Sequence, residues 1–236
     1  MAGPAIAGLV LAAGESSRMG RDKALLPYHG RTFLEMVVAK LREAGISRVG
    51  VVLGHHAGEI RRAVSLPGVE VVTNCDYLRG QTSSLQAGLA ALERLCWRET
   101  GAPSAPWALP KASVALSTQR ARGREEPETL DAVILCLVDH PAFEPSTLTA
   151  LIEAFVRTMA PVIVPTHGGR RGHPVLIARP LFKPLLALRT DQGANSVIRD
   201  WHSHTQFVEV ADPGTLVDVD DPDTYSALDR SDSGAA

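Results

Sequence analysis

The 236-residue sequence lacks the features of several common protein classes. Its three cysteines, Cys75, Cys96 and Cys136, are too few and too scattered for a disulfide framework or a zinc site, so we expect reduced thiols in a cytoplasmic protein. No apolar stretch is long enough to cross a membrane, and the apolar N-terminus has no basic region that would make it a signal peptide. Because the formal net charge is only −2, we expect no nucleic-acid partner.

Several motifs of cofactor and nucleotide chemistry are also missing. The chain has no Walker A loop, no GxGxxG fingerprint and no C-x-x-C pair. No Ser–His–Asp or Cys–His arrangement is evident either. These absences count against redox chemistry and against a covalent nucleophile.

Hydrophobic residues make up 45% of the chain, which is enough to bury a core without a structural metal. Apolar runs that predict strands alternate with segments of helical spacing, which favours right-handed crossovers. We predict one Rossmann-like α/β domain over residues 1–228, with a mostly parallel, twisted sheet and helices on both faces. The predicted strands are 6–11, 49–53, 69–73, 133–138 and 162–165, and the predicted helices are 32–44, 56–64, 83–95 and 145–158.

The second half of the chain is less regular, and some antiparallel pairing is expected there. Strands are predicted at 174–178, 207–210 and 216–219, and a helix at 193–201. Residues 97–130 are rich in Ala, Pro, Ser, Arg and Glu without a sustained period, which indicates an atypical surface insertion; a partner-docking loop is the alternative. The tail 229–236 is predicted to be disordered.

The loop after the first predicted strand carries the most chemistry. Its sequence, LAAGESSRMGRDK at 11–23, combines small residues with Arg18 and Lys23. Small residues let exposed N–H groups approach phosphate oxygens, and the two cations can neutralise phosphate charge. We expect Lys23 to be exposed. On residue type alone, a surface turn with two solvated cations is at least as well supported.

This loop resembles the pattern LxxGxSxRMGxxK of MobA-like nucleotidyltransferases at every specified position. The resemblance implies that the loop wraps the base and triphosphate of an NTP. Further segments resemble the molybdenum cofactor cytidylyltransferase branch: GHH at 54–56, NCD at 74–76, GQTSSL at 80–85, GHP at 172–174, DQG at 191–193 and DVDDP at 218–222. In GQTSSL, Gln81 stands where the family has methionine. The implied nucleotide-binding residues are Leu11, Ala12, Ala13, Gly14, Arg18, Lys23 and Ser84.

Carboxylates near the ends of predicted strands are candidates for a metal site. Asp139 follows a buried strand, where it can either hold Mg²⁺ or cap the next turn; the resemblance favours Mg²⁺. Asp218 and Asp220 share a face of an extended segment, and the resemblance favours Asp218 as the second ligand. Asp220, Asp221 and Asp223 are then expected to cap the final helix.

Other polar residues are candidates for binding the acceptor. His173 either braces a turn or reaches the acceptor, and the resemblance favours the acceptor. Asp191 is expected in a loop over the acceptor. Arg170 and Arg171 are either phosphate ligands or a solvated turn. His55 and His56 are expected to be structural, because adjacent loop histidines rarely share one metal ion.

Taken together, the resemblance implies transfer of CMP from CTP to molybdopterin cofactor, with a molybdenum hydroxylase as recipient of the product. Arg18, Lys23 and Asp139 are the implied catalytic residues, acting with Mg²⁺ by positioning and charge neutralisation. Ala13 is expected to favour cytosine, because its methyl group narrows the base pocket. The alternatives are another small phosphate acceptor such as a sugar phosphate, a molybdenum cofactor chaperone without transferase activity, and a relative recruited to redox chemistry.

Overall fold

A sheet of eight strands lies at the centre of the computed structural model, which describes residues 3–99, 129–189 and 191–233. Its strands are β1 (Ile6–Ala12), β4 (Arg48–Leu53), β5 (Glu70–Thr73), β6 (Ala132–Leu137), β7 (Val162–His167), β8 (Arg170–Arg171), β9 (Val175–Ala178) and β10 (Thr205–Glu209). A separate hairpin joins β2 (Pro27–Tyr28) to β3 (Arg31–Thr32). The strand order is β10-β7-β9-β6-β1-β4-β5, with β8 paired to β7.

The pairing is mostly parallel, as predicted. Strand β1 pairs in parallel with β4 and β6, β4 with β5, and β7 with β10. Strand β9 runs antiparallel between β6 and β7, in the half where antiparallel pairing was expected. The helices are α1 (Phe33–Glu43), α2 (Ala57–Ala63), α3 (Gln81–Glu99), α4 (Pro145–Thr158), α5 (Phe182–Ala187), α6 (Asn195–Asp200) and α7 (Pro222–Ser233).

Helices cover both faces of the sheet, and alternate residues of β1 show this most directly. Val10 packs into a core cluster that contains buried residues of α1 and α4, whereas Leu9 packs into a second cluster with residues of α3 and α5. Successive side chains of a strand point to opposite faces, so each face has its own apolar layer. The predicted architecture of a mostly parallel sheet between two helical layers is confirmed.

Helix α1 shows how the sequence fixes an element locally. Thr32 accepts a hydrogen bond from the backbone N–H of Glu35, and the Glu35 carboxylate accepts one from the backbone N–H of Thr32. This capping box satisfies two otherwise unpaired N–H groups at the start of the helix. Gly45 follows the helix with a φ of +84°, a conformation that glycine adopts without steric cost. The predicted cap and the predicted terminating glycine are both confirmed.

Three predictions about elements need correction. The strand expected at 216–219 is absent, because Pro213–Leu216 forms a 3-10 turn and the following backbone bonds to the loop after β6. Helix α5 was not predicted; it is only six residues long, too short for a periodic pattern. Helix α3 extends beyond its predicted end at residue 95 to Glu99, and α7, for which no end was predicted, runs to Ser233.

The extension of α7 enters the tail that was predicted to be disordered. Asp221 accepts the backbone N–H of Thr224 and Pro222 occupies the first turn, so the helix has a defined start and continues to Ser233. Residues 234–236 lie outside the described residues. So does 100–128, which is most of the predicted insertion; the insertion therefore stays a prediction.

Candidate active site

A cavity of about 480 Å³ opens at the carboxyl ends of β1 and β6. Ligands of open α/β sheets bind at this edge, beyond the ends of the parallel strands. The lining includes seven of the predicted site residues that follow β1 or begin α3, together with Asp139: Leu11, Ala12, Ala13, Gly14, Arg18, Lys23 and Ser84. The structure thus brings the predicted nucleotide-binding residues together around one space.

Lys23 lies between two carboxylates at one end of this cavity. Its Nζ donates to Asp139 Oδ2 at 3.1 Å and to Asp220 Oδ1 at 2.5 Å. Burial alone would lower the pKa of Lys23, but the hydrogen bonds and charges of Asp220 and Asp139 outweigh it and raise the pKa above its ordinary value. The expectation of an exposed lysine is wrong, since only 11% of the side chain is exposed. The cause is the neighbouring carboxylates, which make burial of an ammonium group tolerable.

The backbone around Lys23 is held by short-range contacts. The N–H of Lys23 donates to Ser16 Oγ at 3.0 Å, which closes the loop on itself. Asp22 accepts the N–H of Ala24, and its other oxygen lies 3.3 Å from Nδ1 of His56. His56 therefore supports the loop, which agrees with its expected structural role. These contacts hold the backbone at Lys23 in a defined position.

A backbone hydrogen bond fixes the two C-terminal aspartates against Asp139. The N–H of the fully buried Val219 donates to the carbonyl oxygen of Asp139 at 2.9 Å. Asp218 and Asp220 flank this anchor: Asp220 contacts Lys23, while Asp218 faces His140, with Oδ1 3.9 Å from Nε2. Burial and the neighbouring charge of Asp139 raise the pKa of Asp218 above its ordinary value.

One face of this arrangement fits a divalent cation. Asp139, His140 and Asp218 each offer one ligand atom, and these three atoms lie within 4.8 Å of one another. Carboxylate oxygens that converge in this way suit a cation that keeps further positions for phosphate oxygens and water. The predicted pair of metal residues, Asp139 and Asp218, is therefore close enough to share one ion.

Asp220 was predicted to cap the final helix, and the structure corrects this. Asp221 makes the capping bond, whereas Asp220 pairs with Lys23 and lies 3.7 Å from a guanidinium nitrogen of Arg18. The hydrogen bond from Lys23 holds the pKa of Asp220 below its ordinary value. The acidic run itself does not indicate which aspartate caps the helix. The roles of Asp220 and Asp221 differ because the hydrogen bond from Val219 to Asp139 positions this segment.

The other end of the cavity is less charged. Tyr77 and Gly80 line it together with Gln81 and Ser84 from the start of α3. Asn74 donates to the hydroxyl oxygen of Ser84 at 3.0 Å, so the serine is held in place from the end of β5. No local pattern indicates a role for Tyr77, since its position depends on the 3-10 turn after β5.

Gly54 brings the ends of β1 and β4 together beneath that part of the cavity. A Cβ at Gly54 would lie 2.4 Å from the carbonyl oxygen of Ala13 and 2.8 Å from Cβ of Tyr77. Beside it, His55 Nδ1 lies 2.8 Å from the hydroxyl of Tyr77. The GHH segment thus supports the cavity wall rather than binding a metal.

The predicted acceptor residues do not line the cavity. His173 stacks beside His140, with ring centroids 4.9 Å apart, and burial together with His140 lowers its pKa to about 4, so it is neutral at pH 7. Asp191 is exposed and paired with Arg189. The carbonyl oxygen of the following residue, Gln192, accepts a hydrogen bond from the hydroxyl of Thr82 at the start of α3. The structure therefore places His173 beside His140, and pairs Asp191 with Arg189.

Arg170 and Arg171 form the exposed strand β8. The guanidinium of Arg171 lies 4.7 Å from the ring centroid of Phe207 and 3.0 Å from Nε2 of His202.

Across the described part of the chain, no helix is long and apolar enough to cross a membrane.

Comparison with known proteins identifies relatives over nearly the whole length. Nicotine blue oxidoreductase from Paenarthrobacter nicotinovorans is 27% identical over 230 residues, covering 92% of this chain and 93% of that protein. Molybdenum cofactor cytidylyltransferase from Escherichia coli K12 is 22% identical over 220 residues, 92% of each chain. A solved structure of Rv0371c from Mycobacterium tuberculosis H37Rv, in complex with manganese, is 28% identical with a TM-score of 0.67, covering 96% of this chain and 99% of that one.

A family model described as the MobA-like NTP transferase domain matches residues 8–206. This range contains the loop after β1, the lysine and the aspartate after β6, and it ends before the two aspartates that flank Val219. The match covers most of the chain and agrees with the geometry of the cavity. The chain belongs to the MobA-like NTP transferase family and is a nucleotidyltransferase of that kind.

Proposed function

We propose that this nucleotidyltransferase transfers CMP from CTP to molybdopterin cofactor and releases pyrophosphate. The observation that carries the proposal is the contact of Lys23 with Asp139 in a cavity bounded by the loop after β1, with a ligand atom of Asp218 within 4.8 Å of one of Asp139. Its volume lies within the range of roughly 300–1,000 Å³ usual for small-molecule sites. Similarity to a cytidylyltransferase over 92% of the chain supports the choice of base and acceptor.

The cavity lining contains two groups of residues that suit a nucleoside triphosphate. Arg18 and Lys23 are its cations, and at Gly14 the backbone is accessible because nothing lies within 4 Å of a Cβ built there. Tyr77, Gln81 and Ser84 are uncharged residues of the same lining. We assign the phosphates to the first group and the base to the second.

A divalent cation completes the site, and we assign Mg²⁺ to Asp139 and Asp218. When bound, it neutralises phosphate charge and stabilises the departing pyrophosphate. The manganese complex of the M. tuberculosis relative supports a divalent ion at this kind of site. Asp139 would then be shared between the cation and Lys23, which donates to its Oδ2.

The reaction needs no protein nucleophile. A phosphate oxygen of the acceptor forms a bond to the α-phosphorus, and the bond from that phosphorus to the bridging oxygen of pyrophosphate breaks. The acceptor is a phosphate monoester that is already ionised, so no proton has to be removed. Lys23 exchanges its carboxylate partners for phosphate oxygens, and the rate gain comes from positioning and charge neutralisation.

We place the acceptor on the side of His173. This residue is neutral and lies beside the carboxylates, so it can contact an anionic acceptor without adding charge. We also place Asp191 on the acceptor side, because its loop contacts the start of α3 through the hydrogen bond from Thr82 to Gln192.

A second candidate is oxidoreductase activity, because a relative with that name matches 92% of the chain. The residues of the site favour nucleotidyl transfer, since a lysine between carboxylates serves a metal–triphosphate and has no role in hydride transfer. The same groups count against a chaperone that only carries the cofactor. Another phosphate acceptor keeps the chemistry and changes only the partner.

The deciding experiment measures pyrophosphate release with each of the four NTPs, with and without molybdopterin cofactor. We expect release that requires both CTP and the cofactor. Asp139→Asn should abolish it, whereas Asp200→Asn, an exposed change at the end of α6, should not. Release with a sugar phosphate in place of the cofactor would change the acceptor. Oxidation of reduced nicotinamide without pyrophosphate release would replace the proposal with the redox alternative.

A further inference from the structure

His140 has no evident structural task. It is 9% exposed, and its ring lies between Asp218, which Nε2 approaches at 3.9 Å, and the ring of His173. A separation of 3.9 Å is too long for a hydrogen bond. The neighbouring Nδ1 is buried and has no hydrogen-bond partner among the described residues. A buried polar nitrogen without a partner costs about 1–3 kcal/mol, so hydrogen bonding of the side chain does not account for the position of this ring.

The cluster around His140 has the dimensions of a coordination shell. Ligand atoms of Asp139, His140 and Asp218 lie within 4.8 Å of one another. Around an octahedral ion with bonds of about 2.1 Å, neighbouring ligand atoms are roughly 3 Å apart and opposite ones roughly 4.2 Å. Side-chain movements of less than an ångström would therefore bring all three atoms onto one ion.

The two aspartates that flank Val219 divide the site. Asp220 is engaged by Lys23 and Arg18, which are the cations expected to meet phosphate. Asp218 makes no ion pair with these two cations among the described residues and lies beside His140. The metal side of the site therefore consists of two oxygens and one nitrogen, while the phosphate side holds the positive charges.

We propose that His140 is a nitrogen ligand, through Nε2, of the divalent cation held by Asp139 and Asp218. The inference rests on the proposed function, which assigns the cation to those aspartates. Imidazole binds first-row transition ions better than Mg²⁺, which prefers oxygen ligands. The site therefore favours Mn²⁺ over Mg²⁺ more strongly than two carboxylates alone would.

Electron-spin-echo spectroscopy of Mn²⁺ bound to the nucleotide-free protein tests the ligand directly. We expect modulation from a directly coordinated ¹⁴N nucleus, which changes on labelling with ¹⁵N-histidine and disappears in His140→Gln. His173→Gln is the matched control, because it removes the adjacent imidazole, and it should keep the signal. The label gives an answer for the wild-type protein even if a variant fails to fold.

Competition between Mn²⁺ and Mg²⁺ gives a second measurement that does not depend on activity. The preference for Mn²⁺, measured as the Kd of Mg²⁺ divided by the Kd of Mn²⁺, should fall by about tenfold in His140→Gln. Bound Mn²⁺ without nitrogen modulation overturns the proposal, as does a signal lost only in His173→Gln. If pyrophosphate release still depends on Asp139 in that case, the transferase survives and only the histidine ligand is refuted. If Asp139→Asn leaves both pyrophosphate release and Mn²⁺ binding intact, the cation site itself is wrong.

Discussion

Replacing Lys23 with methionine separates its part in catalysis from its part in stability. The aliphatic stem remains, and so does the backbone bond to Ser16, but Asp139 and Asp220 lose their shared cation. Breaking a fully buried ion pair costs about 3–5 kcal/mol. Because Asp139 is 26% and Asp220 49% exposed, we expect a smaller loss of about 1–2 kcal/mol in the free energy of unfolding.

The effect on catalysis should be larger. A unit charge about 4 Å from a phosphate oxygen is worth about 4 kcal/mol at an effective dielectric constant of about 20. Losing most of it corresponds to a drop in kcat/KM of roughly 10²–10³-fold. Urea unfolding and pyrophosphate release measure the two effects. The exposed Lys183→Met on α5 is the control.

Adding Asp220→Asn to Lys23→Met tests the cause of each effect. Removing one of the stranded carboxylates should restore part of the lost stability without restoring turnover. The reasoning fails if the activity per folded Lys23→Met molecule stays within about tenfold of the wild type. In that case Lys23 would be a structural counter-ion and not a ligand of the phosphates.

Three further substitutions test other parts of the structure. Gly54→Ala should destabilise the protein by about 1–3 kcal/mol and weaken nucleotide binding measured by calorimetry, since its Cβ would lie 2.4 Å from the backbone oxygen of Ala13; Gly58→Ala in α2, with only one atom at 3.9 Å, should not. Ala13→Gly should raise GTP use relative to CTP only in part, because a single methyl is worth about 1–3 kcal/mol; an unchanged ratio of kcat/KM values would locate base selection elsewhere. Burial would raise the pKa of Glu35, but the hydrogen bonds from Thr32 hold that pKa below its ordinary value. The stability that these bonds contribute is therefore present above the unfolded pKa of about 4.3 and is lost as pH falls through the folded pKa. Glu35→Gln should lower the free energy of unfolding by about 0.5–1 kcal/mol in urea at pH 7 and by less at pH 3.

Local signals in the sequence were sufficient for much of the fold. Helix α1 follows from apolar spacing between a threonine cap and a glycine, and these signals act within a few residues of one another. The same holds for the loop after β1 and for Asp139, because each directly follows a buried strand. Alternation along each strand is enough to predict which face of the sheet a side chain points towards.

Local signals could not predict that Asp220 contacts Lys23 while Asp218 lies beside His140. Both are aspartates in one acidic run, and the backbone bond from Val219 to Asp139 decides which of them meets Lys23. That bond joins segments 80 residues apart, so no periodicity could indicate it. The burial of Lys23 was missed for the same reason, since it depends on partners 116 and 197 residues away.

The wide separation of these partners also sets when the site can form during synthesis. Lys23 leaves the ribosome early, but Asp220 is made 197 residues later. At about 5–20 residues per second, the interval is roughly 10–40 s. Until then the lysine in the loop after β1 lacks at least one of its two carboxylate partners. Nucleotide and metal can therefore help to complete folding only after the segment that carries Val219 has been made and docks.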